Sequence, residues 1–317
     1  MKRFPKRSSI DMTIELMNQS LPSPVFTASG CAAAGKELDQ FIDITSLGAV
    51  VTKSVMLQPR SGRATPRMAE TPSGMLNGIG LQGPGIDDFI EKDLAWLHQK
   101  GARTIVSIAG NSVEEYGKIA EKLRDIPGVI GIEVNISCPN VENRGLVFAC
   151  DSNSATEVIY SVKRNSSSSL PIFAKLSPDV TDIAHIAKAV VNAGADGLSV
   201  INTLLGMVID TNTLKPKLSG KTGGLSGPAI RPVAIRCVYQ IRQALPKVPI
   251  IGMGGIRNGK DALEFFAAGA NAISVGTMVF NDPEACIRIH DELSDLLQDK
   301  SIRSIKDVMN AAHMENL

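Results

Sequence analysis

The stretch Ile132-Glu133-Val134-Asn135-Ile136-Ser137-Cys138-Pro139-Asn140 sets a thiol and two carboxamides at the end of an apolar, β-branched run. Cysteine is ordinarily a small buried hydrophobe. Flanked by Asn135, Pro139 and Asn140 at a strand end, Cys138 is instead a candidate proton acceptor. A thiol of reference pKa about 8.5 can take that role once its thiolate is stabilised. The two amides carry donors and acceptors and can read a ring of C=O and N–H groups. Lys53 and Lys175 stand at the ends of two further apolar runs. Their charge can offset a carboxylate or a reduced, anionic cofactor ring. A Schiff-base aldolase uses lysine at such a position too, so the lysines alone leave both chemistries open.

Gly252-Met253-Gly254-Gly255-Ile256 and Val275-Gly276-Thr277 close two more apolar runs. In α/β barrels the loops after the last two strands commonly bind phosphate through backbone N–H groups. Glycine lets a ligand's oxygens approach those amides without a Cβ in the way. Either turn alone reads as a tight turn and no more; both together favour phosphate. Gly223-Gly224-Leu225-Ser226-Gly227-Pro228 reads as a third backbone-rich loop, with Pro228 suited to the first turn of a helix. One decoy is set aside. Gly78-Ile79-Gly80-Leu81-Gln82-Gly83 spells the dinucleotide fingerprint, but its residues read as loop on both sides. That fingerprint needs a preceding strand and a following helix facing a pyrophosphate. If NAD is used, another chain must bind it.

These residues need a scaffold that delivers strand ends to one place. Eight apolar runs are candidates: 25–29, 49–53, 104–109, 130–136, 171–176, 196–202, 248–253 and 271–276. Leu47-Gly48, Ala193-Gly194 and Ala268-Gly269 each read as a helical stretch closing on glycine before a strand. Helical segments fall near 112–124 and 181–193, the first opened by a capping box of Ser112 and Glu115. Apolar strands with chemistry at their carboxyl ends are the pattern of a parallel α/β sheet. Eight of them favour a closed (β/α)₈ TIM barrel in a single domain; an open doubly wound sheet is the alternative.

Composition narrows the function. With 33 Lys+Arg against 32 Asp+Glu, no global field draws nucleic acid or an anionic membrane. Aromatics at 4% leave little for stacking on single strands. No apolar run reaches the roughly 18–20 residues that span a bilayer, and the basic Met1–Arg7 segment lacks a secretory apolar stretch. The expectation is a cytoplasmic chain. Cys31, Cys138, Cys150, Cys237 and Cys286 form no C-x-x-C pair, which excludes the usual zinc and iron–sulfur spacings and suits reduced thiols. His98, His185, His290 and His313 are scattered, and no metal site is expected.

Several motifs, in order and over nearly the whole chain, resemble the dihydroorotate dehydrogenase family. They are Thr27-Ala28-Ser29-Gly30, Thr52-Lys53-Ser54, Asn77-Gly78-Ile79-Gly80-Leu81-Gln82 and the Asn135–Asn140 segment. Ile201-Asn202-Thr203, Gly223–Pro228 and Gly252–Gly255 continue the series. Cys138 resembles class 1, and Gly80-Leu81-Gln82 with Pro66–Thr71 resembles the NAD-linked class 1B catalytic subunit. The resemblance implies FMN held by Ser29, Lys53, Ser54, Asn135, Lys175, Ile201, Gly227, Gly254, Gly255, Gly276 and Thr277. It implies dihydroorotate held by Lys53, Asn77, Gly78, Ile79, Gly80, Leu81, Asn135, Asn140, Asn202 and Thr203. Cys138 would take the C5 proton while hydride leaves C6 for the flavin, giving orotate in pyrimidine synthesis. A smaller partner chain carrying FAD, a [2Fe–2S] cluster and the NAD site would complete a heterotetramer around a homodimer core. The same resemblance implies an N-terminal extension over about 1–22 and an active-site lid over about 141–153 of one barrel covering 1–317.

The chain departs from that pattern at three places: Ser107 and Gly83 where asparagines are expected, and residues 141–150 without two expected glycines. A pyrimidine-reducing enzyme similar to the C-terminal domain of dihydropyrimidine dehydrogenase is the competing enzyme reading. A barrel kept only as an assembly subunit is the non-enzyme one.

Overall fold

The computed structural model describes residues 2–6, 8–17, 19–137 and 151–314. Cys138, Asn140 and the segment 141–150 lie outside the described residues, and so does Cys150 within that segment. All eight expected strands are present: β1 (Val25–Thr27), β2 (Val50–Val51), β3 (Thr104–Ile108) and β4 (Val129–Asn135). Then come β5 (Ile172–Leu176), β6 (Gly197–Val200), β7 (Ile250–Met253) and β8 (Ala272–Val275). They pair in parallel in the order β1-β8-β7-β6-β5-β4-β3-β2.

The ring closes between β1 and β2. Gly48 N–H donates to the Val25 carbonyl at 3.0 Å and Thr27 N–H to the Ala49 carbonyl at 3.3 Å. The Thr27 hydroxyl completes the seam, accepting from Val51 N–H at 2.9 Å and donating to the Val51 carbonyl at 3.2 Å. Gly48 therefore has a different role from the expected helix end. Only a short 3₁₀ turn, Ile44–Ser46, precedes it. A Cβ on Gly48 would fall 2.2 Å from the Phe26 ring, so glycine permits the close approach that shuts the barrel. Gly194 and Gly269 do follow helices with φ of 110° and 116°, as expected. Closure rules out the open doubly wound alternative.

Helices alternate with the strands because polar caps start them and apolar faces seat them. Asp151, Asp182 and Asn258 each accept an N–H three residues on, opening helices Ser152–Asn165, Ile183–Asn192 and Gly259–Ala268. Ser112 caps Val113–Lys122 as expected, but the Glu115 carboxylate takes Asn111 N–H at 2.8 Å rather than that of Ser112. Ile119, Val158, Ile159 and Val162 on two neighbouring helices are fully buried, each worth about 1.5–3 kcal/mol relative to exposure. Among the described residues no helix is long and apolar enough to cross a membrane.

Beyond the barrel, two excursions join in a four-stranded antiparallel sheet. Its order is Leu204–Met207, Thr222–Ser226, Gly74–Asn77 and Met68–Thr71. Two sequence expectations are corrected here. Gly223–Ser226 is strand rather than loop, with Gly227 (φ 91°) and the 3₁₀ turn Pro228–Ile230 leading into helix Arg231–Ala244. Gly78–Gly83 is preceded by strand Gly74–Asn77 and followed by a helix beginning at Ile86. That strand is antiparallel to both neighbours and belongs to the excursion, so no βαβ dinucleotide unit forms. Residues 151–153, at the end of the segment expected as a lid, cap and open helix Ser152–Asn165.

Candidate active site at the barrel mouth

Parallel strands carry their carboxyl ends to one rim. Six of them feed a continuous polar chain there. The Lys175 ammonium, on an inward position of β5, donates across the mouth to the Ser29 hydroxyl after β1 at 2.8 Å. It also meets the Glu133 carboxylate on β4 at 3.3 Å, with side chains 5% and 1% exposed. Ser107 on β3 donates to the same Glu133 oxygen at 3.0 Å and lies 2.8 Å from the Ser54 hydroxyl after β2. Ser54 accepts from the Asn135 amide at the end of β4 at 3.0 Å. Asn135 Oδ1 accepts in turn from Asn202 Nδ2 after β6 at 3.3 Å. Ser137 N–H also reaches Asn135 Oδ1 at 3.3 Å, and Tyr116 donates to the Asn135 carbonyl at 2.8 Å.

The expected substrate residues gather beside this chain. Thr203 N–H donates to Asn202 Oδ1 at 2.8 Å. Thr203 packs so closely on Gly224 that a Cβ there would sit 2.0 Å from its hydroxyl. Asn77 Nδ2 donates to the Gly224 carbonyl at 3.4 Å. Gly78, Ile79 and Gly80 instead spend backbone groups on the 60–67 segment. Gly78 N–H goes to the Arg67 carbonyl at 2.7 Å, Ile79 accepts from Arg63 N–H at 3.0 Å, and Gly80 from Arg60 Nε at 3.0 Å. Leu81 follows with φ 54°. Lys53 forms no ion pair among the described residues. Burial, and secondarily the charge of Arg67, hold its pKa below the ordinary lysine value. A half-buried cation without a carboxylate is a ready seat for an anion.

The remaining two strands supply backbone. Gly254 and Gly255 follow β7 with φ of 128° and 77°. The requirement for glycine here is conformational first: a Cβ on Gly255 would also lie 2.8 Å from the Gly227 carbonyl. Gly276 and Thr277 follow β8, Thr277 donating to Ser226 at 2.7 Å, so the 227, 254–255 and 276–277 turns meet. The N–H groups of Gly254, Gly255, Gly276 and Thr277 find no acceptor among the described residues. Such converging free amides fit a phosphoryl group. Ile201 lies below the rim, buried, its N–H on the Met253 carbonyl at 3.1 Å.

Sequence reasoning missed Glu133, Ser137, Tyr116 and Ser226, and treated Ser107 only as a departure. Glu133 left a signal: an acid inside an apolar run, two residues before Asn135 and hence on the same strand face. Cys31, Cys237 and Cys286 are free thiols. Burial pushes Cys31 up to about 11 against the opposing charge of Lys175. Burial, with Cys31 and Asp282 nearby, pushes Cys286 up to about 12. Among the described residues no cluster of His, Cys, Asp and Glu could hold a metal ion.

Fold and site together define a (β/α)₈ barrel whose mouth joins a buried lysine–carboxylate pair, ordered amides and free backbone N–H groups. The chain belongs to the dihydroorotate dehydrogenase family, whose family model matches residues 11–297. It is 49% identical over 304 residues to the "dihydroorotate dehydrogenase B (NAD(+)), catalytic subunit" of Geobacter sp. strain M21, covering 96% of this chain and 99% of that one. The proteins of the same name from Geotalea daltonii (50% over 301 residues; 95% and 98% covered) and Geobacillus kaustophilus (49% over 296; 93% and 94%) are similar over comparable spans.

Proposed function

We propose that this chain oxidises (S)-dihydroorotate to orotate in pyrimidine synthesis, as the FMN-containing catalytic subunit of an NAD-linked enzyme. The observation that carries the reading is the coincidence, at one barrel rim, of free amides after β7 and β8 with the Ser29–Lys175–Glu133–Ser107–Ser54–Asn135–Asn202 chain. An anionic group at one end and a heterocycle at the other suit that rim. The relatives' names supply the reaction.

The turns at Gly227, Gly254–Gly255 and Gly276–Thr277 would hold the FMN phosphate. Ser29, Lys53, Ser54, Asn135, Lys175 and Ile201 would line its ring. When bound, FMN supplies the two-electron acceptor for hydride leaving C6. Cys138 accepts the C5 proton, a general-base role worth roughly 10²–10⁴-fold. Lys53 pairs with the substrate carboxylate. Asn77 to Leu81, Asn135, Asn140, Asn202 and Thr203 fix its ring amides and carbonyls. The lid over about 141–153 closes over the reacting carbons and excludes water, and residues about 1–22 form an extension to the barrel. Electrons leave through a partner subunit bearing FAD, a [2Fe–2S] cluster and the NAD site, in a cytoplasmic heterotetramer built on a homodimer of this chain.

Anaerobic titration of the purified chain with dihydroorotate, following the flavin absorbance, tests the reading. Stoichiometric bleaching by dihydroorotate but not by dihydrouracil is the expected result. Bleaching by dihydrouracil alone favours the dihydropyrimidine reading. A protein that stays colourless with added FMN overturns both enzyme readings.

A further inference from the structure

We infer that Glu133 is a positioning residue: its carboxylate, held by Lys175, fixes the direction of hydrogen bonding through Ser107 and Ser54 to the amide of Asn135. The step rests on the function proposed above and adds a residue to it. Glu133 is 1% exposed and shares a strand face with Asn135. An ionised carboxylate accepts and never donates. Ser107 must therefore give its proton to Glu133 at 3.0 Å and take that of Ser54 at 2.8 Å. Ser54, its proton committed, can only accept from Asn135 Nδ2 at 3.0 Å.

The far end of the chain agrees. The backbone N–H groups of Ser137 and Thr203 can only donate, and they hold the Oδ1 atoms of Asn135 at 3.3 Å and Asn202 at 2.8 Å. What remains for a ligand is set by this direction. Asn135 and Asn202 each keep one free N–H, and Ser54 keeps one lone pair. The rim thus offers donors to ring carbonyls, with the Ser54 lone pair an acceptor for a ring N–H and Asn202 Oδ1 keeping a second lone pair beside it. Ser107, in place of the expected asparagine, is short enough to relay the charge of Glu133 instead of reaching the ligand itself.

A Glu133→Gln variant removes the constraint. The new amide can donate, so Ser107 can turn round. Ser54 then aims a proton at the site where a lone pair stood. The same change strips Lys175 of its counter-charge, which favours an anionic reduced flavin. A merely structural ion pair would lower stability and leave ligand preference and potential alone.

The test uses the FMN-loaded protein, with orotate affinity read from the flavin spectrum and the two-electron potential from dye equilibration. The variants are Glu133→Gln, Ser107→Ala and the pair together. Each single change is expected to weaken orotate about tenfold, the size of one buried hydrogen bond. The double is expected to be no weaker than Glu133→Gln within about twofold, since both cut one chain. Glu133→Gln alone should favour reduced over oxidised flavin about tenfold, which is ~30 mV for two electrons. Ser107→Ala should leave the potential in place. Orotate affinity unchanged in Ser107→Ala, or additive losses in the double, overturns the inference. If Glu133→Gln does not fold, the cycle of Ser107→Ala with Ser54→Ala decides by the same criterion. A wild type that binds FMN but neither orotate nor dihydroorotate sinks the functional reading and this inference with it. A wild type that binds orotate with additive variants sinks the inference alone.

Discussion

Gly255→Ala separates the cost of a backbone conformation from the cost of a blocked cradle, because a matched control exists in the same chain. Gly101 and Gly255 share a φ of 77°. A Cβ on Gly101, at the end of helix Ala95–Lys100, meets nothing within 4 Å. A Cβ on Gly255 meets the Gly227 carbonyl at 2.8 Å, the Arg231 Cβ at 2.9 Å and the Arg231 backbone nitrogen at 3.0 Å. Gly101→Ala should therefore cost only the left-handed penalty, about 1 kcal/mol. Gly255→Ala adds overpacking against backbone that cannot swing aside, about 1–3 kcal/mol more. At about 2 °C per kcal/mol for a domain of this size, the apoprotein melts roughly 2 °C lower in the first case and about 4–8 °C lower in the second. The clash also moves the amides left without acceptors, so FMN should lose about 10–100-fold in affinity, the worth of one charge-assisted hydrogen bond. Riboflavin, without the phosphate, should lose far less. Flavin-fluorescence titration of both ligands against both variants reads this directly. Equal losses for FMN and riboflavin, or Gly255→Ala melting with Gly101→Ala, would refute the reasoning.

Lys53 sets a pH dependence. Its pKa is held low by burial and by Arg67, and a bound anion raises it, so orotate affinity should be flat at lower pH and fall as pH rises through that lowered value, with proton uptake on binding; isothermal titration in two buffers checks it, and Arg67→Ala should move the fall to higher pH. The raised pKa values of Cys31, Cys237 and Cys286 keep these thiols protonated at neutral pH, so peptide mass mapping after brief iodoacetamide treatment of the folded protein should find all three unmodified. Cys138→Ser should keep FMN bound while slowing anaerobic bleaching by roughly 10²–10⁴-fold; an unchanged stopped-flow rate would remove Cys138 from the chemistry.

The barrel was legible because its strands are buried on both sides. Ile172–Leu176 and Ala272–Val275 are wholly buried, mostly apolar runs, and helices separate most successive strands, a pattern few folds share. The antiparallel sheet was not legible for the opposite reason. Met68–Thr71 alternates between exposed and half-buried positions, and Thr222–Ser226 contains two adjacent glycines, so neither presents the apolar, β-branched signature of a strand. At the site, Lys53, Lys175, Asn135 and Asn202 were visible as polar residues at strand ends. Glu133 and Ser107 lie inside their strands. Their role emerges only when β3, β4 and β5 are laid side by side in register. Spacing along one chain does not report which side chains meet across three strands.

The order of strands explains how one rim can read two unlike chemical ends. Around the barrel, β7 and β8 are neighbours, and β2 to β6 form one contiguous arc. The first sector contributes glycine turns with free amides, which suit any phosphoryl oxygen and need no particular side chain. The arc contributes Ser54, Ser107, Glu133, Asn135, Lys175 and Asn202, whose donors and acceptors are fixed in direction and therefore discriminate. Lys175 spans the mouth from the arc to β1, which lies between the two sectors, since β5 stands opposite β1 in the ring and its ammonium crosses to Ser29. Under the function proposed above, a ligand would lie across the mouth with its anion over β7–β8 and its ring over the arc. The reverse orientation would leave a buried ammonium facing the wrong end and the amides unpaired, at about 1–3 kcal/mol for each unsatisfied group. On that reading, orientation is set by the arrangement of strands.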